Sequence, residues 1–417
     1  MLNLVKTKTQ ELEKYRHVVP RSLYRELRKL SKDLKGLKVV HINSTSVGGG
    51  VAEVLKSLVP IMKGSKINAE WHTLPEKKNF FKLTKEIHNG LQGKKFYLSP
   101  DFKKAYLNYL KNFSKMMLGM KADIWIFHDP QPAGIIDFLS DFNIRRSISR
   151  IHIDTSNPNP EVWNFCKKFL LKYNKIIFSN KDFICENFPK EKTVIFPPAI
   201  DPFTEKNTQI GLFFAKKILK KFGINSKKPL ASQISRFDPW KDPLGVIKSY
   251  KLAKKKIPSL QLALIGFSLA CDDPEAMGVF NMVKNEAKKD KDIFLFFDPK
   301  VLGNFKIDKF INAFQKGSDV ILQKSIKEGF GLTVAEAMWK QKPVIGGNVG
   351  GIKLQIKDGK NGFLVSNCKE AADKIIKLIE NPSLAKEMGK KGRKEVRNKF
   401  LMPRLLRDYL KLFKEIL

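Results

Sequence analysis

The sequence predicts an α/β protein with two doubly wound domains, each built on a parallel sheet that helices cover on both faces. Short apolar runs alternate with longer amphipathic stretches, and this series occurs twice, before and after a proline-rich segment at 196–207. Apolar runs of strand length that alternate with helical patterns are typical of strands buried on both faces. The length of 417 residues suffices for two domains of ordinary size.

The first domain is predicted to begin with a helix within residues 10–35, where SLYRELRKLSKDL carries apolar residues at helical spacing. Its predicted strands are LKVVHIN, ADIWIFHD, ISRIHID, KIIFSN and TVIF. The glycines Gly48, Gly49 and Gly50 separate the first of these strands from the helix AEVLKSLVP. They predict a turn where the backbone approaches a substrate or a phosphate, although a tight turn also needs glycine for structural reasons. The turn is not G-x-G-x-x-G, so it gives poor support to a dinucleotide fold.

The segment FPPAIDPFTEKN contains three prolines and is predicted to link the domains, which assigns residues 1–200 to the first and 201–402 to the second. The second domain's predicted strands are PLASQIS, LQLALIGF, DIFLFF, VILQ, PVIGG and GFLVS. Beyond Pro403 an amphipathic helix is predicted. Because this helix is short, we expect it to pack on a domain rather than to lie on a membrane surface. Ligands of open α/β sheets bind beyond the carboxyl ends of the strands, so a site in a cleft between the domains is expected.

The chain is strongly basic, with 78 Lys and Arg against 41 Asp and Glu and a net charge of +37. The lysines are spread over most predicted helices, which indicates a solvated surface more than a nucleic-acid or membrane-surface role. We find no zinc-finger spacing and no aromatic RNP-like strand, so no nucleic-acid partner is predicted. A basic surface would raise the local concentration of an anionic substrate.

Several patterns point to a cytoplasmic protein without a metal site. No apolar run resembles a signal peptide or reaches the length of a membrane span. The four cysteines have no metal-like spacing and are expected to be unpaired thiols; they are Cys166, Cys185, Cys271 and Cys368. The sequence has no G-x-S-x-G elbow and no P-loop, and its one Asp-x-Asp, at Asp290, is expected to be a solvated helix end.

The segment KEGFGLTVAEAMWKQ carries the most informative pattern, with Glu328 and Glu336 eight residues apart around a glycine turn. The turn, Gly329–Gly331, leads into a predicted helix whose first amides and partial positive charge suit a phosphate. Each carboxylate can accept sugar hydroxyls, so a ligand with a phosphate between two polyhydroxylated ends is expected, such as a nucleotide-sugar. The alternative is an ordinary helix start with two surface glutamates.

The loop SRFDPWKDP follows the first predicted strand of the second domain and brings Arg236 and Lys241 to the carboxyl end of that strand. A guanidinium and an ammonium together could hold a diphosphate and stabilise its charge as it leaves. The alternative is surface charge in a lysine-rich chain. Arginine is scarce here, however, and this one lies in a loop rather than on a helix.

Two strands of the first domain end in a histidine followed by an aspartate. In IFHDPQPAG these are His128 and Asp129, with Gln131 close by, and in RIHID they are His152 and Asp154. Such polar groups are suited to holding sugar hydroxyls. A single histidine of this kind would more often be a core residue, but two at equivalent positions favour a site.

Together these residues resemble the retaining GT-B glycosyltransferases of family GT4. The resemblance covers nearly the whole chain and depends on the E-x7-E element, the Arg236 and Lys241 pair, the first glycine loop and the PPAIDP linker. The segments HINSTSVGGGVAEVL, FHDPQP, RIHIDTSNPNPEVW and SRFDPWKDP are similar to those of the trehalose glycosyltransferring synthases and of the retaining trehalose phosphorylases. The resemblance implies a helix at 403–417 that crosses back onto the first domain.

The resemblance also implies roles for the site residues. Arg236 and Lys241 would contact the donor diphosphate, Glu336 the ribose and Glu328 the glucosyl hydroxyls. His152 would lie beside the donor hexose. Further donor contacts would come from Gly48, Gly49, Gly50, Gly329, Phe330, Gly331, Leu332 and Thr333. Contacts with the acceptor would come from His128, Asp129, Gln131 and Asp154.

The implied reaction transfers glucose from NDP-glucose to free glucose, giving trehalose reversibly, with neither a cofactor nor a metal required. A homodimer is possible. The rivals are a trehalose phosphorylase, another GT4 transferase making sucrose, a glucan or a glycolipid, and a non-catalytic sugar or nucleic-acid binder. Glu336 favours the synthase over the phosphorylase, because a ribose needs that carboxylate and a bare phosphate does not.

Overall fold

The computed structural model describes residues 1–139, 144–186, 188–267 and 276–417. Their chain divides into two compact units. Unit 1 contains the described residues of Met1–Ala199 together with Met402–Leu417, and unit 2 those of Ile200–Leu269 and Pro274–Leu401. Each unit has its own sheet and its own hydrophobic core, so the predicted α/β class is confirmed.

Unit 1 is built on a seven-stranded sheet in the order β1-β3-β2-β4-β5-β6-β7. All neighbouring strands pair in parallel except β1, which runs antiparallel to β3 at the edge. The strands are β1 Asn3–Leu4, β2 Lys38–Asn43, β3 Asn68–Thr73, β4 Ile124–His128, β5 Ser147–Arg150, β6 Lys175–Phe178 and β7 Thr193–Ile195. The central strand β4 is buried along its whole length, as expected for a sheet covered on both faces.

The helices of unit 1 include one from the end of the chain. They are α1 Arg21–Asp33, α2 Gly49–Gly64, α3 Lys78–Leu91, α4 Pro100–Lys115, α5 Pro130–Ala133, α6 Pro160–Leu170 and α15 Met402–Ile416. Helix α15 packs against α1 and α2 through an apolar face that includes Leu406 and Phe413. Its buried Arg404 donates to the carbonyls of Pro197 and Pro198 and pairs with Asp408.

Unit 2 has a six-stranded, wholly parallel sheet in the order β10-β9-β8-β11-β12-β13. The strands are β8 Leu230–Ile234, β9 Gln261–Ile265, β10 Ile293–Phe296, β11 Val320–Gln323, β12 Val344–Gly347 and β13 Phe363–Val365. The helices are α7 Leu212–Lys221, α8 Pro243–Lys254, α9 Ala276–Ala287, α10 Ile307–Gly317, α11 Leu332–Trp339, α12 Gly350–Gln355, α13 Cys368–Glu380 and α14 Pro382–Lys399. The chain order reverses between β8 and β11, so a cradle opens beyond their carboxyl ends.

Two expectations for unit 1 are corrected. The single helix predicted within 10–35 is shorter, because Pro20 precedes α1 and a 3-10 turn at Leu12–Tyr15 replaces its first part. Strand β3 was not predicted, because polar residues alternate with apolar ones along NAEWHT.

Cys166, Cys185 and Cys368 are free thiols, while Cys271 lies outside the described residues. Every helix in the described parts of the chain is too short or too polar to cross a bilayer.

Candidate active site

An ion pair between Lys241 and Glu328 lies at the carboxyl ends of β8 and β11 in unit 2. The Lys241 Nζ is 2.7 Å from Glu328 Oε2, and both side chains are largely buried. The same carboxylate oxygen accepts hydrogen bonds from Ser325 Oγ at 3.1 Å and Gln323 Nε2 at 3.3 Å. The other carboxylate oxygen, Oε1, has no protein donor among the described residues, so it can accept a hydrogen bond from a ligand hydroxyl.

The backbone around Lys241 is fixed by side chains from neighbouring strands. Gln233 on β8 donates to the Lys241 carbonyl at 2.9 Å and accepts from the Lys324 amide at 3.0 Å. Asp242 adopts a left-handed conformation with φ 49° and pairs with the Lys324 amine. A left-handed aspartate before a proline is an uncommon geometry, and its side chain holds it by capping α8 at Gly245.

Arg236 follows β8 in the same loop and is partly exposed. Its Nη2 lies 3.6 Å from Asp238 Oδ2, whose other oxygen accepts from the Trp240 amide at 2.8 Å. The loop therefore brings two cations to one strand end, and each is paired with a carboxylate. This arrangement can receive an anion while the carboxylates keep the cations oriented.

The glycine turn before α11 contains Gly331 with φ 82°, a left-handed conformation that a side chain would strain. Gln355 on α12 donates to the carbonyls of Phe330 at 2.6 Å and Gly331 at 3.2 Å. Thr333 in the first turn of α11 donates its hydroxyl to the Ile234 carbonyl at 2.9 Å. These bonds aim the first amides of α11, which have no partners within the helix, at the space beyond β8.

Gly351 on α12 keeps this turn in place, because a Cβ there would lie 2.3 Å from Phe330 Cα and 2.5 Å from the Gly329 carbonyl oxygen. We expect Gly351→Ala to lower the free energy of unfolding by about 2 kcal/mol and to displace the turn. The matched control is Gly278→Ala in α9, where nothing lies within 4 Å of the added methyl. Urea denaturation of both variants checks this, and equal stability of the two would contradict it.

The second glutamate of the E-x7-E element has different partners from the first. Glu336 Oε1 pairs with Lys206 at 3.1 Å, and Oε2 accepts from Gln315 at 2.9 Å. Burial opposes ionisation, but the charges of Lys206 and Lys340, together with the hydrogen bonds from Gln315 and Lys206, outweigh it and lower the pKa of Glu336. Burial lowers the pKa of Lys340 to about 7, and its amine donates to Asn207 at 3.0 Å.

Glu328 and Glu336 are 8% and 3% exposed, so neither is the surface glutamate of the alternative interpretation. Lys206 and Gln315 already contact the two oxygens of Glu336. A carboxylate retains further lone pairs for a hydroxyl, so a ligand contact by Glu336 stays a prediction.

In unit 1 the predicted glycine turn joins β2 to α2. Gly48 and Gly49 have φ of 72° and 73°, so a side chain at either would be strained, whereas Gly50 lies in the first helical turn. Nothing lies within 4 Å of a Cβ at Gly49, so open space lies beside this glycine. The turn therefore exposes the start of a 16-residue helix, whose first amides can bind an anion.

His128 and His152 belong to a buried row of imidazoles that also includes His41. His128 Nε2 is 3.0 Å from His41 Nδ1, and His128 Nδ1 is 3.0 Å from His152 Nε2. Both nitrogens of His128 are therefore engaged within the protein. His128 therefore holds His152, which is partly exposed, and an acceptor-sugar contact by His128 itself stays a prediction.

Asp129 and Arg150 lie beside this row. Asp129, with φ 61°, accepts from the His152 amide at 2.7 Å, and burial raises the pKa of its carboxyl to about 7. Arg150 is 1% exposed and donates to the carbonyls of Phe178 and Phe196 at the ends of the neighbouring strands. Burial lowers the pKa values of His128 and His152, and the positive charge of Arg150 lowers them further.

The raised pKa of Asp129 predicts a pH dependence of stability. The folded state holds this proton more tightly than the unfolded state, so its contribution is present below pH 4 and is lost as the pH rises towards 7. We expect the free energy of unfolding to fall by up to about 4 kcal/mol over this pH range. Asp129→Asn abolishes this pH-dependent fall and keeps an acceptor for the His152 amide. Denaturant unfolding of both proteins from pH 4 to pH 8 checks this, and parallel pH profiles would contradict it.

The remaining predicted residues of unit 1 are placed differently. Asp154 is buried and accepts from the Ser156 amide at 3.0 Å and the Ser156 hydroxyl at 2.6 Å, so it shapes the loop after β5. Gln131 lies in the short helix α5 and is partly exposed. Within the described ranges, no cluster of three or more His, Cys, Asp or Glu side chains could hold a metal ion.

Comparison with known proteins shows which family this chain belongs to. Residues 41–185 match the family described as "Trehalose synthase, N-terminal domain", and residues 214–395 match "Glycosyl transferases group 1". A trehalose synthase of Pyrococcus horikoshii is 42% identical over 98% of this chain and 97% of its own length. The chain belongs to the trehalose synthase family. It is therefore a glycosyltransferase, and its activity is related to trehalose.

Other relatives agree with this placement. The trehalose synthase of Rubrobacter xylanophilus is 40% identical, and the alignment covers both chains completely. A trehalose phosphorylase of Pleurotus pulmonarius is more distant, with 27% identity over 85% of this chain and 54% of its own length. The synthase family is thus the nearer of the two families that the motifs indicated.

Solved structures confirm the GT-B fold. A UDP-forming trehalose-phosphate synthase of Burkholderia xenovorans superimposes with a TM-score of 0.72 at 10% identity, over 91% of this chain and 100% of that one. Sucrose-phosphate synthase of Thermosynechococcus elongatus gives a TM-score of 0.70 at 15% identity, over 91% and 98%. At such identities the similarity concerns the fold alone.

Proposed function

We propose that this protein is a retaining glucosyltransferase that transfers glucose from an NDP-glucose to free glucose, forming trehalose reversibly. The observation that carries the proposal is the ion pair between Lys241 and Glu328, in which one carboxylate oxygen remains open. A cation for the leaving diphosphate thus lies beside an acceptor for a sugar hydroxyl. Membership of the trehalose synthase family supports the choice of substrates.

In the proposed reaction Arg236 and Lys241 bind the donor diphosphate together with the first amides of α11. The bond between the glucosyl C1 and the phosphate oxygen breaks, while the acceptor hydroxyl oxygen forms its bond to C1 on the same face. The departing phosphate oxygen takes the acceptor's proton. Two cations that neutralise the leaving diphosphate lower the barrier electrostatically, so neither a nucleophilic carboxylate nor a metal ligand is needed from the protein.

The sugar contacts of the proposal divide between the units. In unit 2, Glu328 Oε1 accepts a glucosyl hydroxyl, and Glu336 serves the ribose through a remaining lone pair. In unit 1, His152 contacts the hexose, while Gln131, the Asp129 region and the loop that Asp154 shapes serve the acceptor. Gly48 and Gly49 are suited to a close approach by the substrate, because their conformation excludes side chains.

The test is to incubate the purified protein with trehalose and, in parallel, UDP, ADP or inorganic phosphate. We expect one nucleoside diphosphate to yield glucose and the matching NDP-glucose, which also identifies the base. Glucose 1-phosphate formed from phosphate alone would instead establish a phosphorylase. Trehalose that survives every condition would exclude glucose as the acceptor and leave the other acceptors of glycosyltransferases.

A further inference from the structure

The three histidines of unit 1 form a continuous hydrogen-bonded row that ends at a methionine. Met62 Sδ lies 3.4 Å from His41 Nε2, and the next two bonds, from His41 to His128 and from His128 to His152, are both 3.0 Å long. Neighbouring rings are stacked with centroids 5.3 Å apart. Within the described part of the chain, His152 Nδ1 is the one ring nitrogen of the row without a partner.

Each of these rings is neutral, because burial lowers the pKa of all three, to about 3 for His41. A neutral imidazole has one N–H and one lone pair. Every ring in a row of such imidazoles must therefore donate at one end and accept at the other. The hydrogen bonds then all run in the same direction, and the group at the closed end sets that direction.

The closed end of the row is a thioether, which accepts a hydrogen bond weakly and cannot donate one. His41 Nε2 therefore carries a proton directed at Met62 Sδ, and His41 Nδ1 accepts from His128 Nε2. By the same step His128 Nδ1 accepts from His152 Nε2. The opposite direction would place the buried lone pair of His41 Nε2 against a sulfur that has no proton to give, and an unsatisfied buried acceptor is unfavourable.

We infer that Met62, His41 and His128 are positioning residues that fix His152 in its Nε2-protonated tautomer, so that Nδ1 presents a lone pair to a carbohydrate hydroxyl. The hydroxyl partner rests on the proposed function, whereas the tautomer follows from the hydrogen-bond geometry of the row and the neutrality of its buried rings. His152 then accepts a hydrogen bond and never donates one from Nδ1. His152 therefore favours a sugar that places a hydroxyl group beside Nδ1 over one that places only a hydrogen-bond acceptor there.

The direct test is NMR of protein labelled with ¹⁵N at histidine, since long-range proton–nitrogen correlations distinguish the two tautomers of a neutral ring. The signal of His152 is assigned by its loss in His152→Asn. We expect a pure Nε2-protonated form that does not titrate between pH 6 and pH 8. A proton on Nδ1 of His152 would overturn the inference. No substrate is used, so failure of the proposed reaction does not affect this result.

A variant pair tests the role of the sulfur. Met62→Leu keeps the volume but removes the acceptor, so both tautomers of His152 become populated and turnover falls several-fold with little change in KM. The control is Met117→Leu, which changes an equally buried methionine in the hydrophobic core of the same unit. If Met62→Leu leaves the tautomer of His152 as pure as Met117→Leu does, the sulfur does not set the direction.

A second inference rests on a cavity of about 460 Å³ in unit 2. Its wall includes Pro229, Asp319 and Pro343, which immediately precede β8, β11 and β12. The cavity therefore lies at the amino ends of these strands, opposite the site of Lys241. Five lysines line it, namely Lys216, Lys227, Lys228, Lys342 and Lys386.

The charge around this cavity is only partly balanced: Lys228 pairs with Asp292 at 3.5 Å, and Lys216 donates to the Ser226 carbonyl at 3.2 Å. Asp319 is its one lining carboxylate within the described residues, and Oδ2 of that carboxylate already accepts from the Leu230 amide at 2.9 Å. Burial and the nearby charges of Lys316 and Lys216 lower the pKa of Lys342 to about 8, although Asp319 opposes them. An anion in the cavity would relieve this repulsion and restore the proton on Lys342.

We infer that this cavity binds a phosphorylated small molecule, separately from the site at the carboxyl ends of the strands. Its volume falls within the range of small-molecule sites, and lysines bind phosphate as point charges. Leu212 and Leu378 add apolar wall that could contact the body of a phosphate ester. Inorganic phosphate and a hexose phosphate share the recognised group, so both serve as probes.

The test compares two variants of equal net charge by calorimetry with each probe. Lys216→Gln/Lys342→Gln removes two cavity lysines, and Lys248→Gln/Lys353→Gln removes two exposed lysines elsewhere in unit 2. We expect the first pair to weaken binding about ten-fold and the second to change it less than about two-fold. Binding at pH 8 should take up a proton, seen by using two buffers of different ionisation enthalpy. Equal weakening in both variants, or no proton uptake, would overturn the inference.

Discussion

Lys241→Ala is expected to lower turnover by about 100-fold or more while the protein stays folded. The amine touches Glu328 at the end of β8 and is the proposed cation for the leaving diphosphate. Its removal takes away charge stabilisation that is largest in the transition state, so kcat should fall more than the donor KM rises. Steady-state kinetics in the direction of trehalose synthesis measures both constants.

The matched control is Lys248→Ala, which removes an exposed lysine from α8 in the same unit. It should keep turnover within about two-fold, because an exposed charge is screened by solvent. Thermal melting of both variants separates a catalytic loss from a folding defect. Near-normal kcat in Lys241→Ala would remove the diphosphate role from this residue, whatever its effect on Glu328.

Glu336→Gln is expected to lower the free energy of unfolding by about 3 kcal/mol. The buried carboxylate faces Lys206 and lies near Lys340, which is also buried. An amide of the same shape keeps a hydrogen bond with Gln315 but removes the negative charge beside Lys206. Urea denaturation near pH 7 gives the difference.

Two further variants sharpen that result. Glu380→Gln changes an exposed glutamate of α13 and should be neutral within about 0.5 kcal/mol. Lys206→Met in the Glu336→Gln background removes the cation that the carboxylate no longer neutralises and should recover part of the lost stability. An unchanged free energy of unfolding in Glu336→Gln would show that the carboxylate does not neutralise this cluster.

The fold was predictable because most strands are continuous apolar runs. The runs LKVVHIN and VILQ became β2 and β11, since a strand buried on both faces leaves no room for polar alternation. Strand β3 was not predicted because Asn68 and Glu70 interrupt its apolar run. Edge strand β1 has two residues, too few for any periodicity to be visible.

The site was predictable only where a residue belongs to a local motif. Glu328 stands in the E-x7-E element and Lys241 in a strand-end loop, so both could be named, but their contact joins segments 87 residues apart. Gln355 and Lys324 support the site from other elements and carry no local signal. His41 lies inside an apolar strand, where its role depends on a partner 87 residues along the chain.

The return of α15 to unit 1 makes unit 2 an insertion within unit 1. Its two ends meet, because the Ile200 amide donates to the Phe400 carbonyl at 2.9 Å. Unit 2 can therefore be excised as residues 200–401 without separating its termini, as circular permutation and domain grafting require. Unit 1 cannot be cut out as one segment, since residues 1–199 would lack the helix that covers α1 and α2. Exchanging unit 2 among relatives thus needs two junctions, one on each side of this bridge.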